Sequence, residues 1–288
     1  MDDRQKMKIS EILKNAETGS LCGCNGCPWS PVNDSGGGFG VSCRVHGVDW
    51  VNTSKVNSFY IAEDPANTTP HKTGRLCAVD NAVNASDYTA QHHLRLWNAT
   101  VSMQDDTPDA GGYLKQNYWT NAIMHGAAKN TNNRKYKKEA QEHCTKILAL
   151  QLEALNPNVI IASGETAVNS LHKIGLINYK WSDINYRFAE GAYQEDIKQW
   201  RNMNDLTVFC TYHTSKGVVN RTLSRPNRYD SIKTEALIQK KLEKLDDKAS
   251  VEQFLLFYGN PEKDATARGM RYLLNHWLDM GPVIRSYL

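Results

Sequence analysis

The sequence contains no long hydrophobic run. Its N-terminus, MDDRQKMKISEILKNAE, is charged and has the pattern of a helix, and no later stretch approaches the roughly 20 apolar residues that a membrane span needs. A secretory signal would also require an apolar segment near the start. We therefore expect a cytoplasmic protein without a membrane partner.

A strong excess of one charge is also missing. The 288 residues carry 34 Lys and Arg against 31 Asp and Glu, a formal net charge of +3. Whole-chain charge is thus weak evidence for an anionic partner, and local clusters must supply it. Two basic clusters are present, KNTNNRKYKK at 129–138 and the segment from Lys216 to Arg228. Either could contact phosphates, or could be a solvated loop.

Short apolar runs alternate with longer helical segments. The runs VNSFYIA, YWTNAIM, NVIIAS and TVFCTY occupy 56–62, 118–124, 158–163 and 207–212. This alternation predicts a parallel sheet with helical crossovers. The clearest helix places Ile147, Leu148, Leu152 and Leu155 at helical spacing and ends before Pro157.

The remaining segments are predicted to be connectors or helices. NDSGGGFG, at 33–40, is interpreted as a flexible connector because no Gly-Lys-Ser/Thr of a phosphate loop follows its glycines. After about residue 225 only helical patterns occur, which predicts a C-terminal helical extension.

Polar side chains follow the predicted strands. Glu63 and Asp64 come after the first strand, Asn121 lies within the second, and His213 follows the last. Ligands of open α/β sheets bind outside the carboxyl ends of the strands. These side chains are therefore candidates for one site, although turn and capping residues also follow strands.

Cysteines are crowded near the N-terminus. Cys22, Cys24, Cys27 and Cys43 have the spacing C-x-C-x₂-C-x₁₅-C, and Cys144 lies on the predicted helix. Neighbouring thiolates repel one another unless a cation holds them, so the pattern indicates iron–sulfur or zinc ligation. The alternative is a set of free loop thiols. Cys210, inside an apolar strand, is expected to be a core residue.

Five ordered motifs resemble the uracil-DNA glycosylase superfamily, most closely its iron–sulfur family 4 branch. They are CNGCP at 24–28, AEDPA at 62–66, YWTN at 118–121, the stretch from the helix cysteine to the strand glycine at 144–164, and TYHTS at 211–215. The resemblance covers roughly residues 20–225. It implies an α/β three-layer sandwich with a central, mainly parallel four-stranded sheet.

The resemblance also implies a division of the chain. Residues 1–50 would form an N-terminal helix and a Cys-rich metal-binding segment, 51–225 the glycosylase-like core, and 226–288 a helical extension of the same domain. A monomer that binds DNA is expected.

Several roles follow from the resemblance. Asp64, Glu63 and His213 would be catalytic, with a carboxylate near the sugar C1′ and the histidine at the pyrimidine O2. Glu63 occupies the position of the family 4 carboxylate and Asp64 that of the classical family, and Asp64 is preferred because it precedes Pro65. Base-binding residues would be Ala66, Asn121 and Leu76. DNA-binding residues would be Asn67, Ser215, Lys216, Asn220 and Arg221.

Three departures from the family pattern affect the cofactor and the substrate. The family's third cluster cysteine would fall near Met124, where this sequence has none. A [4Fe–4S] cluster would therefore use Cys24, Cys27, Cys43 and Cys144. The alternatives are Cys22 in place of Cys43, and zinc in place of the cluster. Thr214 replaces the usual Pro of a His-Pro-Ser loop. Ala66 leaves space where classical enzymes place a Tyr against the pyrimidine C5.

The expected activity is that of a monofunctional DNA glycosylase. It would flip a pyrimidine out of DNA and hydrolyse the N-glycosidic bond, leaving an abasic site. The substrate would be a C5-modified cytosine of phage DNA, such as glucosylated hydroxymethylcytosine, in antiviral defence, or uracil in base-excision repair. The alternatives are a non-catalytic or covalently trapping DNA-binding protein of this fold, and a metal-stapled interaction module.

Overall fold

The computed structural model of the chain describes most of the sequence. The described residues are 3–21, 27, 36–40, 56–63, 75–76, 88–104, 113, 116–127, 134–185, 187–189 and 193–288. Nine α-helices are found among them: α1 Asp3–Glu17, α2 Tyr88–Trp97, α3 Arg134–Leu155, α4 Glu165–Lys173, α5 Trp181–Ile184, α6 Lys216–Val218, α7 Ser231–Leu242, α8 Ala249–Tyr258 and α9 Ala265–Ser286. Two π-helical turns, Asn98–Ser102 and Val219–Leu223, continue α2 and α6, and a 3₁₀ turn spans Arg187–Ala189.

The strands of the described residues, eight in all, form two sheets. They are β1 Gly36–Gly40, β2 Ser58–Ala62, β3 Arg75–Leu76, β4 Asn117–Asn121, β5 His125–Ala127, β6 Val159–Ser163, β7 Tyr193–Trp200 and β8 Met203–Thr211. The main sheet has the order β4-β2-β6-β8-β7, and a small sheet has the order β3-β1-β5.

The main sheet confirms the predicted parallel core. Strands β4, β2, β6 and β8 are mutually parallel, and β7 adds an antiparallel edge against β8. Every residue of β2, β4 and β6 is buried, which explains why β2 and β6 appear in the sequence as nearly continuous apolar runs. Strand β4, NYWTN, also buries three polar residues. The fifth strand, β7, was not predicted.

Helices cover both faces of the main sheet. On one face Tyr118 of β4 donates its hydroxyl to Gln151 of α3 at 2.7 Å, and α1 packs on α3. On the other face the ring of Tyr60 in β2 lies 3.9 Å from His93 of α2, and that histidine contacts Trp277 of α9. The three-layer α/β arrangement is therefore confirmed.

The connection from α3 to β6 is short, as predicted. Ile147, Leu148, Leu152 and Leu155 are buried at the helical spacing seen in the sequence. Asn156 ends the helix in a left-handed conformation with φ +44°, where its N–H bonds to the carbonyl of Leu152. A left-handed residue after the last turn is a common helix stop, and Pro157 then leads into the strand.

Helix α9, in the C-terminal extension, packs closely against two other segments of the chain. Asp264 caps its N-terminus by accepting the N–H of Thr266 at 2.7 Å. A β-carbon on Gly269 would overlap the backbone oxygen of Val219, and one on Gly281 would overlap that of Thr100. The helix therefore packs against both π-helical turns at a distance that only glycine allows.

One sequence interpretation is wrong. Residues 36–40, within the predicted flexible connector at 33–40, form strand β1, which pairs with β3 and β5. No strand signal was visible there because GGGFG has almost no side chains that could form an alternating pattern.

Among the described residues, no helix is long and apolar enough to cross a membrane.

Candidate active site at the carboxyl edge of the sheet

Strand register brings the ends of four parallel strands together. Ala62 of β2 pairs with Asn121 of β4, and Ser163 of β6 pairs with Thr211 of β8. With neighbouring strands about 4.8 Å apart, this edge is roughly 14 Å wide from β4 to β8. Glu63 follows the end of β2 directly, and His213 comes just after the end of β8. The structure therefore places three of the predicted site residues along one edge.

Glu63 turns its side chain towards the first turn of α4. Its Oε1 lies 3.5 Å from the backbone nitrogen of Thr166, and its Oε2 lies 4.0 Å from Nζ of Lys137. The partial positive charge at a helix N-terminus and the lysine both attract this carboxylate. This side chain is about 24% exposed, so it still reaches solvent.

Gly164 makes room for this carboxylate. Its φ of +92° and ψ of 175° lie in a region that is essentially restricted to glycine. A β-carbon at this position would lie 2.8 Å from Oε1 of Glu63. The glycine between β6 and α4 therefore sets where the Glu63 side chain can go.

A cleft opens beside Glu63. It has a volume of about 480 Å³. Its other lining residues are Lys137, Lys138 and Gln141 of α3 and Glu165, Thr166 and Asn169 of α4. The two lysines belong to the basic cluster at 129–138, so part of that cluster lies next to the carboxyl edge of the sheet.

Asn121 is buried at the end of β4, with about 4% of its surface exposed. The backbone beyond it stays bonded to the end of β2, because Ala122 donates to the carbonyl of Ala62 at 2.8 Å and Ile123 donates to that of Glu63 at 3.0 Å. The position of Asn121 relative to the Glu63 backbone is therefore fixed by main-chain hydrogen bonds.

His213 is buried and has a defined ring orientation. Its Nδ1 accepts the backbone N–H of Ser215 at 3.3 Å. A nitrogen that accepts an N–H carries no proton, so a neutral His213 bears its proton on Nε2. The histidine is thus arranged as an Nε2–H donor.

The segment after His213 forms α6 and the following π-helical turn. Lys216 and Arg221 are exposed, whereas Ser215 and Asn220 are partly buried. Oδ1 of Asn220 accepts the hydroxyl of Tyr88 at 3.0 Å, which ties this segment to the start of α2. Two of the predicted DNA-binding residues therefore face solvent on a segment that the fold holds in place.

For four other predicted site residues, the described part of the structure gives no contact with this edge of the sheet. Asp64, Ala66 and Asn67 lie outside the described residues, and Leu76 lies in strand β3. Their predicted roles therefore stay predictions.

Two of the predicted metal ligands lie among the described residues. Cys27 and Cys144 are both buried, and Sγ of Cys144 accepts the backbone N–H of Met124 at 3.4 Å. Buried sulfur that receives an N–H suits a cluster ligand, because such bonds stabilise thiolate charge. Cys22, Cys24 and Cys43 lie outside the described residues. Within the described ranges, no group of three or more His, Cys, Asp or Glu could hold a metal ion.

Cys210 lies in the core of β8, as expected. It is fully buried, and burial raises the pKa of its thiol to about 12. A thiol in this setting is unreactive.

His93 is a feature that sequence reasoning missed. Its ring is fully buried among Tyr60, Trp119, Tyr113 and Trp277, and its Nε2 lies 3.1 Å from the hydroxyl of Tyr113. Burial, and secondarily the charge of His213, lowers the pKa of His93 to about 3. No local signal marks this residue, because its neighbours come from distant parts of the chain.

The fold and the edge define an α/β protein whose candidate site lies at the carboxyl ends of parallel strands. Residues 59–243, more than half of the chain, match the family model described as the uracil DNA glycosylase superfamily. The chain belongs to this superfamily, whose members are generally DNA glycosylases that act on DNA. No individual curated protein matches the chain.

Proposed function

We propose that the protein is a monofunctional DNA glycosylase that extrudes a pyrimidine nucleotide and hydrolyses its N-glycosidic bond. The observation that carries this proposal is the Nε2–H orientation of His213 at the sheet edge that also holds Glu63 and Asn121. A base leaving as an anion needs a hydrogen-bond donor, and a sugar turning into a cation needs a carboxylate.

The proposed reaction is a hydrolysis at C1′ of the sugar. The C1′–N1 bond breaks with its electron pair going to the base, and a water oxygen bonds to C1′. His213 donates a hydrogen bond to the pyrimidine O2 as negative charge develops there. Asp64 stabilises the sugar cation and accepts the proton of water. The base leaves as an anion and takes a proton from solvent, and Asp64 returns its proton to solvent, so that the products are an abasic site and the free base.

We assign the catalytic carboxylate to Asp64 and a positioning role to Glu63. The Glu63 carboxylate already lies against the N-terminus of α4 and near Lys137, which fixes the end of β2. A carboxylate held in this way would help to keep the end of β2 in place. Glu63, at the family 4 position, would therefore be a positioning residue, and Asp64, at the classical position, would be the catalytic carboxylate.

Glu63→Gln and Asp64→Asn distinguish these roles. We expect Asp64→Asn to lower the single-turnover excision rate by about 10²-fold or more, as the loss of a group that stabilises transition-state charge does. Glu63→Gln keeps the size of the side chain and should lower the rate less than about tenfold, because the ion pair that it removes is partly exposed. A larger loss for Glu63→Gln than for Asp64→Asn would reverse the assignment.

For the substrate we favour a C5-modified cytosine, such as glucosylated hydroxymethylcytosine of phage DNA, over uracil. Ala66 is the support for this choice, because the resemblance places it where classical enzymes have a Tyr, and an alanine there would leave space at the pyrimidine C5. Asn121 would read the base edge through its paired amide donor and acceptor. Excision of a modified phage base would make this a defence enzyme, whereas excision of uracil would make it a repair enzyme.

We further propose a [4Fe–4S] cluster on Cys24, Cys27, Cys43 and Cys144, with zinc as the alternative metal. The buried thiol of Cys144 and the N–H that it accepts support this proposal. The cluster would tie the N-terminal segment to α3 and would take no part in base excision. Anaerobically purified protein should contain iron and acid-labile sulfide and should lose both in Cys144→Ser. Metal-free, colourless protein would refute the proposal.

A further inference from the structure

The loop that carries His213 is bonded to helix α2 by the side chain that follows the histidine. Oγ1 of Thr214 donates to the backbone carbonyl of Thr89 at 2.8 Å. Thr214 is about 1% exposed, so its side chain is shielded from solvent. The loop and the helix, 125 residues apart in sequence, are therefore joined directly beside the histidine.

This bond involves the same short stretch that orients the imidazole. Thr214 lies between His213 and Ser215, and the N–H of Ser215 is the donor to Nδ1 of His213. A movement of Thr214 would move that N–H relative to the ring. The tautomer and the direction of Nε2–H therefore depend on where the threonine is held.

Helix α2, which has six of its ten residues buried, supports this loop. Thr89 and His93 are four residues apart and so lie on the same face of the helix. The ring of His93 is fixed by Tyr60, at a centroid distance of 3.9 Å, and by the hydroxyl of Tyr113. After burial, repulsion between the protonated forms of His213 and His93 contributes to the lowered pKa of His93, which agrees with this face of α2 being near the His213 ring.

We propose that Thr214 is a positioning residue whose hydroxyl holds the His213 loop on α2 and so directs Nε2–H towards the departing base. In the His-Pro-Ser loop that this segment resembles, a proline ring restricts the backbone by fixing φ. Here a hydrogen bond from a buried side chain supplies the restraint instead. This inference deepens the proposed function and rests on it.

Three variants test the hydroxyl. Thr214→Val keeps the branched shape and removes the donor, and Thr214→Ser keeps the donor and removes a methyl group. Thr100→Val is the matched control, because Thr100 is also buried and donates its hydroxyl to the carbonyl of Leu96 at 2.7 Å, within the π-helical turn that continues α2. Each variant is compared with the wild-type protein by thermal unfolding, DNA affinity and single-turnover excision.

A positioning role predicts a specific pattern. Thr214→Val should lower the single-turnover rate by about tenfold to a hundredfold, since small misplacements of a catalytic group cost rates of this size. Its affinity for DNA should change less than about threefold, which is within ordinary variant scatter. Thr214→Ser should restore most of the rate, and Thr100→Val should retain the wild-type rate.

A second readout does not depend on activity. The imidazole ¹⁵N shifts of His213, assigned by comparison with His213→Gln, report which ring nitrogen carries the proton. We expect a single Nε2–H tautomer in the wild-type protein and in Thr214→Ser, and a mixture of tautomers in Thr214→Val. If the wild-type protein excises no base, the proposed function fails, and these shifts still decide the positioning role.

Either of two results would overturn the inference. One is a Thr214→Val protein with the wild-type tautomer. The other is a rate loss that Thr214→Ser does not restore or that Thr100→Val shares, since either would assign the effect to packing or to overall stability.

Discussion

Gly164→Ala is the substitution that most directly tests the geometry around Glu63. The glycine has φ +92° and ψ 175°, and a β-carbon would lie 2.8 Å from Oε1 of Glu63. The backbone conformation alone should cost about 1–3 kcal/mol, because L-residues rarely occupy this region. Displacing the carboxylate from Thr166 and Lys137 adds less than about 1 kcal/mol, because Glu63 is partly exposed.

The control is Gly175→Ala. Gly175 also has a positive φ, +76°, but no atom of the described residues lies within 4 Å of the position that its β-carbon would take. This variant should lose only the left-handed backbone preference, about 1–2 kcal/mol. The difference between the two variants therefore isolates the close contact with Glu63 and the more restricted backbone of Gly164.

A double-mutant cycle with Glu63→Ala separates these two contributions. Free energies of unfolding from urea titrations, at unchanged m values, supply the comparison. The double variant should be more stable than the sum of the single effects predicts, by up to about 1 kcal/mol, because removing Glu63 removes the clash. Strict additivity, together with equal costs for Gly164→Ala and Gly175→Ala, would show that the carboxylate does not lie against Gly164.

Three further outcomes are expected. Gly269→Ala or Gly281→Ala should lower the free energy of unfolding by about 2 kcal/mol or more, because the added β-carbon would meet a backbone oxygen. Gly217→Ala is the control, because its β-carbon would meet no described atom within 4 Å, and its free energy of unfolding should stay within about 0.5 kcal/mol of the wild-type value. The pKa of His93, about 3 against 6.5 when unfolded, should make stability fall as pH drops from 6.5 towards 3, and His93→Phe should flatten this part of the stability profile. Lys216→Ala should reduce the slope of log DNA affinity against log salt by about one, and an unchanged slope would remove Lys216 from the interface.

The parallel core could be predicted because its strands are buried on both faces. Strands β2 and β6 are nearly continuous apolar runs in the sequence for that reason, and β4 is marked by its two adjacent aromatic residues. Their order along the chain then placed Glu63, Asn121 and the segment after β8 at one edge, without knowledge of any contact.

Strand β7 could not be predicted from the same signals. It is an exposed edge strand, YQEDIKQW, rich in charged and polar side chains. Its two-residue turn to β8 uses Arg201 and Asn202, both with positive φ, where the usual sequence signal is Asn-Gly. An ion pair between Arg201 and Glu153 of α3 supports this turn, and that contact is invisible in the sequence.

The finer geometry of the site depends on contacts between distant residues. The direction of the Glu63 side chain is set by the lack of a β-carbon at Gly164, far along the chain. The tautomer of His213 is set by a backbone N–H, which no residue type encodes. Thr214 is visible in the sequence as a departure from His-Pro-Ser, but its partner is a carbonyl of α2.

Abasic-site formation is the direct test of the proposed glycosylase activity. Matched DNA duplexes carrying uracil, thymine, 5-hydroxymethylcytosine or its glucosylated form are incubated with the wild-type protein and with His213→Gln, and abasic sites are revealed by alkaline cleavage. We predict cleavage at the C5-modified cytosine or at uracil by the wild-type protein and a loss of about 10²-fold or more in His213→Gln. A wild-type protein that cleaves none of the four DNAs, or that only forms a covalent adduct with DNA, would contradict the account.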